Sequence, residues 1–138
     1  MIEKYIKKLS GLFNIEEPKI IYNETLGFGY RNKTLYLKKN LEFKKKLFLT
    51  IHEFRHYYQD LYIESNDDYL STLWGYEMKN YDMNNYLSYH IELDAYAFSY
   101  LVLNYYFKIP YDLPIIIKEN VLHFIEKNKY LYLFLFRV

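Results

Sequence analysis

The strongest constraint on the fold is the regular spacing of apolar residues between Asn40 and Ile63. These residues recur at intervals of three, four and seven positions: Leu47, Ile51, Phe54, Tyr58 and Leu61. Such intervals place the side chains on one side of a helix, and Asn40 is a suitable N-cap. The sequence therefore predicts a long helix that is buried along one side.

Three other segments show the same helical spacing, from Ile2 to about Gly11, from about Asn85 to Lys108, and from about Ile115 to Asn128. Between the first two helices, the runs KIIYNE, LGFGYRNK and TLYLKK are short and rich in β-branched or aromatic residues. They predict a small three-stranded antiparallel sheet. Residues 64–85 are polar and are expected to form mostly loop, although Leu70, Leu73, Trp74 and Met78 could form one short helix. We therefore expect an α+β fold, mostly helical, with a small N-terminal sheet.

Composition limits the classes of protein to which the chain can belong. Its 138 residues suit one domain, 1–138, and its formal net charge of +1 argues against a nucleic-acid partner. The longest charge-free apolar stretch, Ala95–Phe107, is shorter than the about 20 residues of a membrane-spanning helix. The N-terminal residues also lack an apolar signal region. We therefore expect a soluble cytoplasmic protein without membrane insertion.

The chain contains no cysteine, so any metal ligands must be His, Asp or Glu side chains. The long predicted helix contains the motif HEFRH, whose His52 and His56 lie four residues apart and can both reach one zinc ion. Glu53 would lie beside the metal as general base and acid for peptide-bond hydrolysis. Arg55 is expected at the surface, in solvent or in a salt bridge, and Gln59 is expected to orient a neighbour. The motif thus predicts a Zn²⁺ metalloendopeptidase.

The third metal ligand is expected from the segment HIELDAYA, because catalytic zinc sites usually take three protein ligands. Measured from Ile91, assumed to face the core, His90 and Asp94 lie on one flank of the helix, and Glu92 lies about 200° from His90. His90 and Glu92 therefore cannot bind the same ion. We favour His90 as the ligand, with Asp94 accepting a hydrogen bond from a ligand, and keep Glu92 as the alternative.

The motifs HEFRH and HIELDAYA resemble those of the gluzincin metallopeptidases, over about residues 34–100. The similarity is closest to the minigluzincins of the proabylysin and projannalysin type, and it extends to the catalytic domains of Ste24/HtpX-type membrane peptidases. In these families a ligand on a later helix, usually Glu, precedes an acidic residue by four positions, which matches His90 and Asp94. A shift of two residues gives an ImmA/IrrE-like pattern that matches Glu92, with Asp94 and Phe98.

The resemblance implies that an outer strand, here TLYLKK, pairs with an extended peptide or unfolded protein substrate. It also implies a zymogen that residues 115–138 keep latent. The apolar run from Tyr130 to Phe136 should be buried, either in the core or over the active site. Exchange of this run between chains would give a homodimer.

Two alternative functions are compatible with the same residues. One is a catalytically silent, zinc-stabilised interaction domain, in which the metal only supports the fold. The other is a regulatory protease that resembles ImmA and IrrE and cleaves a repressor. The role of Glu53 distinguishes the silent domain from both enzymes.

Overall fold

Five α-helices and a three-stranded sheet form the framework of residues 1–25 and 27–136, which a computed structural model describes. The helices are α1 (Ile2–Phe13), α2 (Phe43–Ser65), α3 (Tyr69–Lys79), α4 (His90–Leu101) and α5 (Ile115–Lys127). The strands are β1 (Lys19–Asn23), β2 (Gly29–Arg31) and β3 (Thr34–Lys38). Short 3-10 helices cover Met83–Ser88 and Lys129–Phe136, and we call the second the C-terminal segment. The predicted α+β class with a small sheet is confirmed.

Helix α2 is the central element, and it packs against α1, α3, α4 and the sheet. It begins at Phe43 rather than near Asn40, because the Glu42 carboxylate accepts hydrogen bonds from the backbone N–H groups of Lys44 and Lys45, both at 3.0 Å. The apolar side of α2 faces the core as predicted. Its polar side is also enclosed, and that side carries buried residues: His52, Glu53, Arg55, His56 and Gln59.

The sheet differs from the predicted antiparallel arrangement because β3, the TLYLKK run, is its central strand. β2 pairs antiparallel with β3 through a two-residue turn, Asn32–Lys33, in which both residues have positive φ. Such a turn suits a tight hairpin. The hairpin occupies one edge of β3, and β1 pairs parallel with the other edge. The expected pairing of a substrate with β3 as an outer strand is therefore wrong.

Residues 64–85, predicted to be mostly loop, contain helix α3. The helix begins with a capping box in which the Asp68 carboxylate accepts from the Ser71 backbone N–H at 2.8 Å and the Ser71 hydroxyl accepts from the Asp68 backbone N–H at 3.0 Å. Trp74 is 1% exposed and anchors α3 to the core beside Tyr62 of α2. The polar composition favoured loop, but the apolar spacing that allowed one short helix here, together with the Asp-x-x-Ser helix start, describes what forms.

The helix predicted from Asn85 to Lys108 is divided in the structure. A 3-10 helix precedes α4, and the chain continues beyond α4 as a π-helical turn, Val102–Tyr106. The start of α4 is set by Glu77 of α3, whose carboxylate accepts from the backbone N–H groups of His90 at 3.0 Å and Ile91 at 2.9 Å. By contrast, α5 follows the prediction within one residue.

The C-terminal segment packs into the core. Tyr132 and Leu135 are buried, and the Phe134 ring contacts the rings of Phe13 and Phe98, with centroids 5.2 and 6.4 Å away. The run is thus buried in part, and its buried residues lie in the core, one of the two predicted locations, whereas Tyr130 and Leu133 are exposed. Arg137 and Val138 lie outside the described residues.

No helix in the described part of the chain combines the length and the apolar character that crossing a bilayer requires.

Replacing Glu77 with Ala should destabilise the protein by about 1–3 kcal/mol, because two backbone N–H groups at the start of α4 would lose their acceptor. The midpoint of urea unfolding measures this loss. Glu77→Gln keeps one acceptor oxygen and should cost less. Glu119→Ala, at an exposed position on α5, is the control and should stay within about 0.5 kcal/mol of the wild type. An equal effect of Glu77→Ala and Glu119→Ala would contradict the assigned cap.

Candidate metal centre

Three potential metal-ligand atoms converge between α2 and α4. The Nε2 atoms of His52 and His56 are 3.2 Å apart, and each lies 3.0 Å from Oε1 of Glu92. A tetrahedral ion with bonds of about 2.0–2.1 Å needs donor atoms about 3.3 Å apart. The spacing of the three atoms is close to this value, so the group can hold a metal ion.

The two histidines meet because they lie one turn apart on α2, as the HEFRH spacing predicts. Their ring planes are nearly perpendicular, at 86°, and their centroids are 4.8 Å apart. The His52 ring packs on the Tyr96 ring with centroids 4.1 Å apart, and within the described residues its buried Nδ1 has no hydrogen-bond partner. The Nδ1 side of the His52 ring is therefore held by packing, whereas Nδ1 of His56 lies within hydrogen-bond distance of Gln59.

Glu92 lies beside the two histidines, and His90 does not. The favoured prediction, His90 as third ligand, therefore does not match this geometry, and the alternative, Glu92, does. The His90 side chain is 50% exposed, and its Nδ1 lies 3.3 Å from a Glu77 oxygen. Its ring also contacts Phe124 of α5. The angle between two positions on a helix shows that Glu92 and His90 point in different directions, but it does not show which of them points toward α2. The packing of α4 on α2, α3 and α5 decides that.

Tyr81 directs the Glu92 carboxylate. Its hydroxyl donates to Oε2 at 2.7 Å, which leaves Oε1 for the two histidines. Burial would raise the pKa of Glu92, but the hydrogen bonds and positive charge of His52 and His56 outweigh burial and lower it. The sequence offered no signal for Tyr81, which is one of 19 tyrosines.

The Glu92 carboxylate lies beside the His56 ring and favours a positive charge on it. Burial opposes a charge on His56, but the hydrogen bond and negative charge of Glu92 dominate and raise the pKa of His56 to about 9. Metal ligands must be deprotonated imidazoles and carboxylates. Binding of a metal ion to this group would therefore require His56 to give up a proton.

Gln59 determines which nitrogen of His56 carries the hydrogen. Its amide Nε2 lies 2.9 Å from the Ile91 carbonyl oxygen and 2.8 Å from Oδ2 of Asp94, and both of these atoms only accept. The amide oxygen is therefore the atom that lies 2.8 Å from Nδ1 of His56. Because that oxygen can only accept, Nδ1 carries a hydrogen, and Nε2 is the nitrogen that would be available to a metal ion.

Asp94 supports this arrangement from the interior of the protein. Its carboxylate is fully buried and accepts from Arg55 Nε at 2.8 Å, Arg55 Nη2 at 3.2 Å, Gln59 Nε2 at 2.8 Å and the Tyr132 hydroxyl at 2.7 Å. Asp94 thus reaches His56 through Gln59 rather than directly. Arg55 was expected at the surface but is 2% exposed, because its guanidinium forms a buried ion pair with Asp94.

A cleft of about 670 Å³ opens over the metal-ligand atoms. Its lining comes from β2 and its neighbours, from α2, and from residues 78–92: Phe28, Gly29, Tyr30, Arg31, Asn32, His52, Glu53, His56, Asp60, Met78, Tyr81, Met83, Ile91 and Glu92. Glu53 thus faces the same space as the three donors. Its burial raises its pKa, against the opposing effect of the neighbouring histidines.

The chain matches no protein-family model, no curated protein and no solved structure. Its function must therefore be inferred from the residues of the site and their geometry. That geometry joins His52, His56 and Glu53 with Glu92, and it leaves His90 outside.

Removal of any one of the three candidate ligands should weaken metal binding strongly, whereas removal of His90 should not. We expect His52→Ala, His56→Ala and Glu92→Ala each to weaken zinc binding by more than about 100-fold, because two ligands hold a catalytic ion poorly. Chelator competition on the purified full-length protein measures the affinity. His90→Ala is the matched control and should change it less than about 3-fold. Loss of zinc in His90→Ala with retention in Glu92→Ala would contradict this ligand set.

Proposed function

We propose that the protein is a zinc-dependent endopeptidase. The observation that carries the proposal is the convergence of two histidine nitrogens and one carboxylate oxygen beside Glu53 in one cleft. Two His and one Glu form a ligand set of catalytic zinc sites in metallopeptidases, where the fourth position is open. The sequence resemblance of HEFRH to the gluzincins favours the same chemistry.

Zinc held by these residues would act as a Lewis acid and lower the pKa of a bound water toward about 7. Glu53, which lines the cleft, would accept a proton from water and pass it to the departing amine. Tyr81 keeps Oε1 of Glu92 directed at the histidines.

The substrate in this proposal is an extended peptide or an unfolded protein that pairs with β2. Strand β2 forms one edge of the sheet, and its residues Gly29, Tyr30 and Arg31 line the cleft. An extended chain can add to an edge strand through backbone hydrogen bonds. This assignment replaces the one made for β3, which has a partner on each side.

The latent form and the dimer stay predictions. Within the described residues, the lining of the cleft comes from positions 28–92 and includes none from 115 onward. A form in which residues 115–138 cover the cleft would therefore differ from the arrangement seen here.

Glu53→Gln should retain zinc and lose hydrolysis by about 10²–10⁴-fold, because it keeps the shape of the side chain but removes the proton acceptor. Cleavage of fluorescently labelled, unfolded casein and the zinc content per chain are the two measurements. Glu64→Gln makes the same change at an exposed position on α2 and should leave both unchanged.

Two results would contradict the proposal. Wild-type protein that holds one zinc per chain but cleaves no unfolded protein would favour the silent zinc-stabilised domain. Full hydrolysis by Glu53→Gln would remove Glu53 from the mechanism.

A further inference from the structure

The C-terminal segment reaches the candidate metal centre through three consecutive hydrogen bonds. The Tyr132 hydroxyl donates to Oδ1 of Asp94 at 2.7 Å, and Oδ2 of the same carboxylate accepts from Gln59 at 2.8 Å. The amide oxygen of Gln59 then lies 2.8 Å from Nδ1 of His56. We propose that Tyr132 is a positioning residue for the metal centre, acting on His56 through Asp94 and Gln59. The inference rests on the metal site of the proposed function.

Tyr132 is the closer of the two donors to Oδ1 of Asp94. The other is Arg55 Nη2, at 3.2 Å, whereas Arg55 Nε lies 2.8 Å from Oδ2. Without the tyrosine hydroxyl, Oδ1 would keep only the longer contact, and the carboxylate could turn about its bond to optimise both contacts with Arg55. Such a turn would draw Oδ2 away from Gln59.

The orientation of the Gln59 amide depends on Asp94. Its two N–H groups have two acceptors, Asp94 and the Ile91 carbonyl. If Asp94 turns away, one N–H group loses its partner in a buried site, and the preference for the observed amide orientation weakens. In the opposite orientation the amide would present N–H to Nδ1 of His56, which would favour a hydrogen on Nε2 and block the metal-ligand atom.

Tyr132 is held firmly enough to act in this way. Its side chain is 1% exposed, and its neighbours Phe134 and Leu135 pack into the core. Burial also raises the pKa of Tyr132 well above its usual value, so the hydroxyl stays protonated and donates. Apolar packing of the segment therefore fixes the position of one polar atom near the site.

The test compares Tyr132→Phe with two controls in the same segment of the full-length chain. We expect zinc affinity, measured by chelator competition, to fall about 10-fold in Tyr132→Phe, at the lower end of the range for residues behind metal ligands. The visible absorption spectrum of the Co²⁺-loaded protein should change as well. Tyr130→Phe removes a hydroxyl from an exposed position and should change neither. Leu135→Ala perturbs the packing of the segment without removing a polar group, and it should leave the Co²⁺ spectrum intact.

Gln59→Leu tests the path independently of whether Tyr132→Phe folds. It should weaken zinc binding and alter the Co²⁺ spectrum, and adding Tyr132→Phe to it should have little further effect, because both changes act along one path. Unchanged affinity in Gln59→Leu, or fully additive effects, would overturn the inference. So would equal effects of Tyr132→Phe and Leu135→Ala on the Co²⁺ spectrum.

A metal-free measurement separates this inference from the proposed function. In the proton NMR spectrum, the Nδ1–H of His56 should exchange slowly in the wild type and in Tyr130→Phe, and rapidly in Tyr132→Phe. If the wild type binds no zinc, the proposed function fails, and this resonance still decides whether Tyr132 positions His56. If zinc binds and the resonance is the same in all three proteins, the inference fails and the function stands.

Discussion

The ion pair between Arg55 and Asp94 joins α2 to α4, and the geometry of the site depends on it. Burying two charges is costly unless each is fully paired. Asp94 meets this condition through its four hydrogen bonds, and the Arg55 guanidinium lies over the rings of Tyr58 and Phe98, 4.5 Å from each centroid. Removing either charge would leave the other buried and unpaired, at a cost of about 3–5 kcal/mol. The pair therefore holds the two helices in the register that brings Glu92 to His52 and His56.

Features that depend on neighbouring residues along one helix were predictable from the sequence. The apolar spacing located α2, and the four-residue interval of HEFRH placed the two histidine side chains together. Residues 115–127 likewise show a periodicity that the structure reproduces as α5. In each case the backbone geometry of a helix supplies the distances, so no knowledge of the tertiary fold is needed.

Features that depend on packing between elements were not predictable. Helical geometry showed that His90 and Glu92 exclude each other, but the choice between them depends on how α4 packs against its neighbours. The order of the strands depends on which edge of β3 the hairpin occupies. Tyr81 and Tyr132 contact the site from positions 11 and 38 residues away from their partners. Nothing in the local sequence distinguishes these two from the other tyrosines.

The contact between Tyr132 and Asp94 has a consequence for the order of events during synthesis. A ribosome makes the chain from the N-terminus, so the three donor residues emerge well before Tyr132. Until that tyrosine arrives, the buried carboxylate of Asp94 lacks one of its four hydrogen bonds. The nascent chain therefore carries the three candidate ligand residues before it carries the residue that completes the hydrogen bonding of Asp94 behind them.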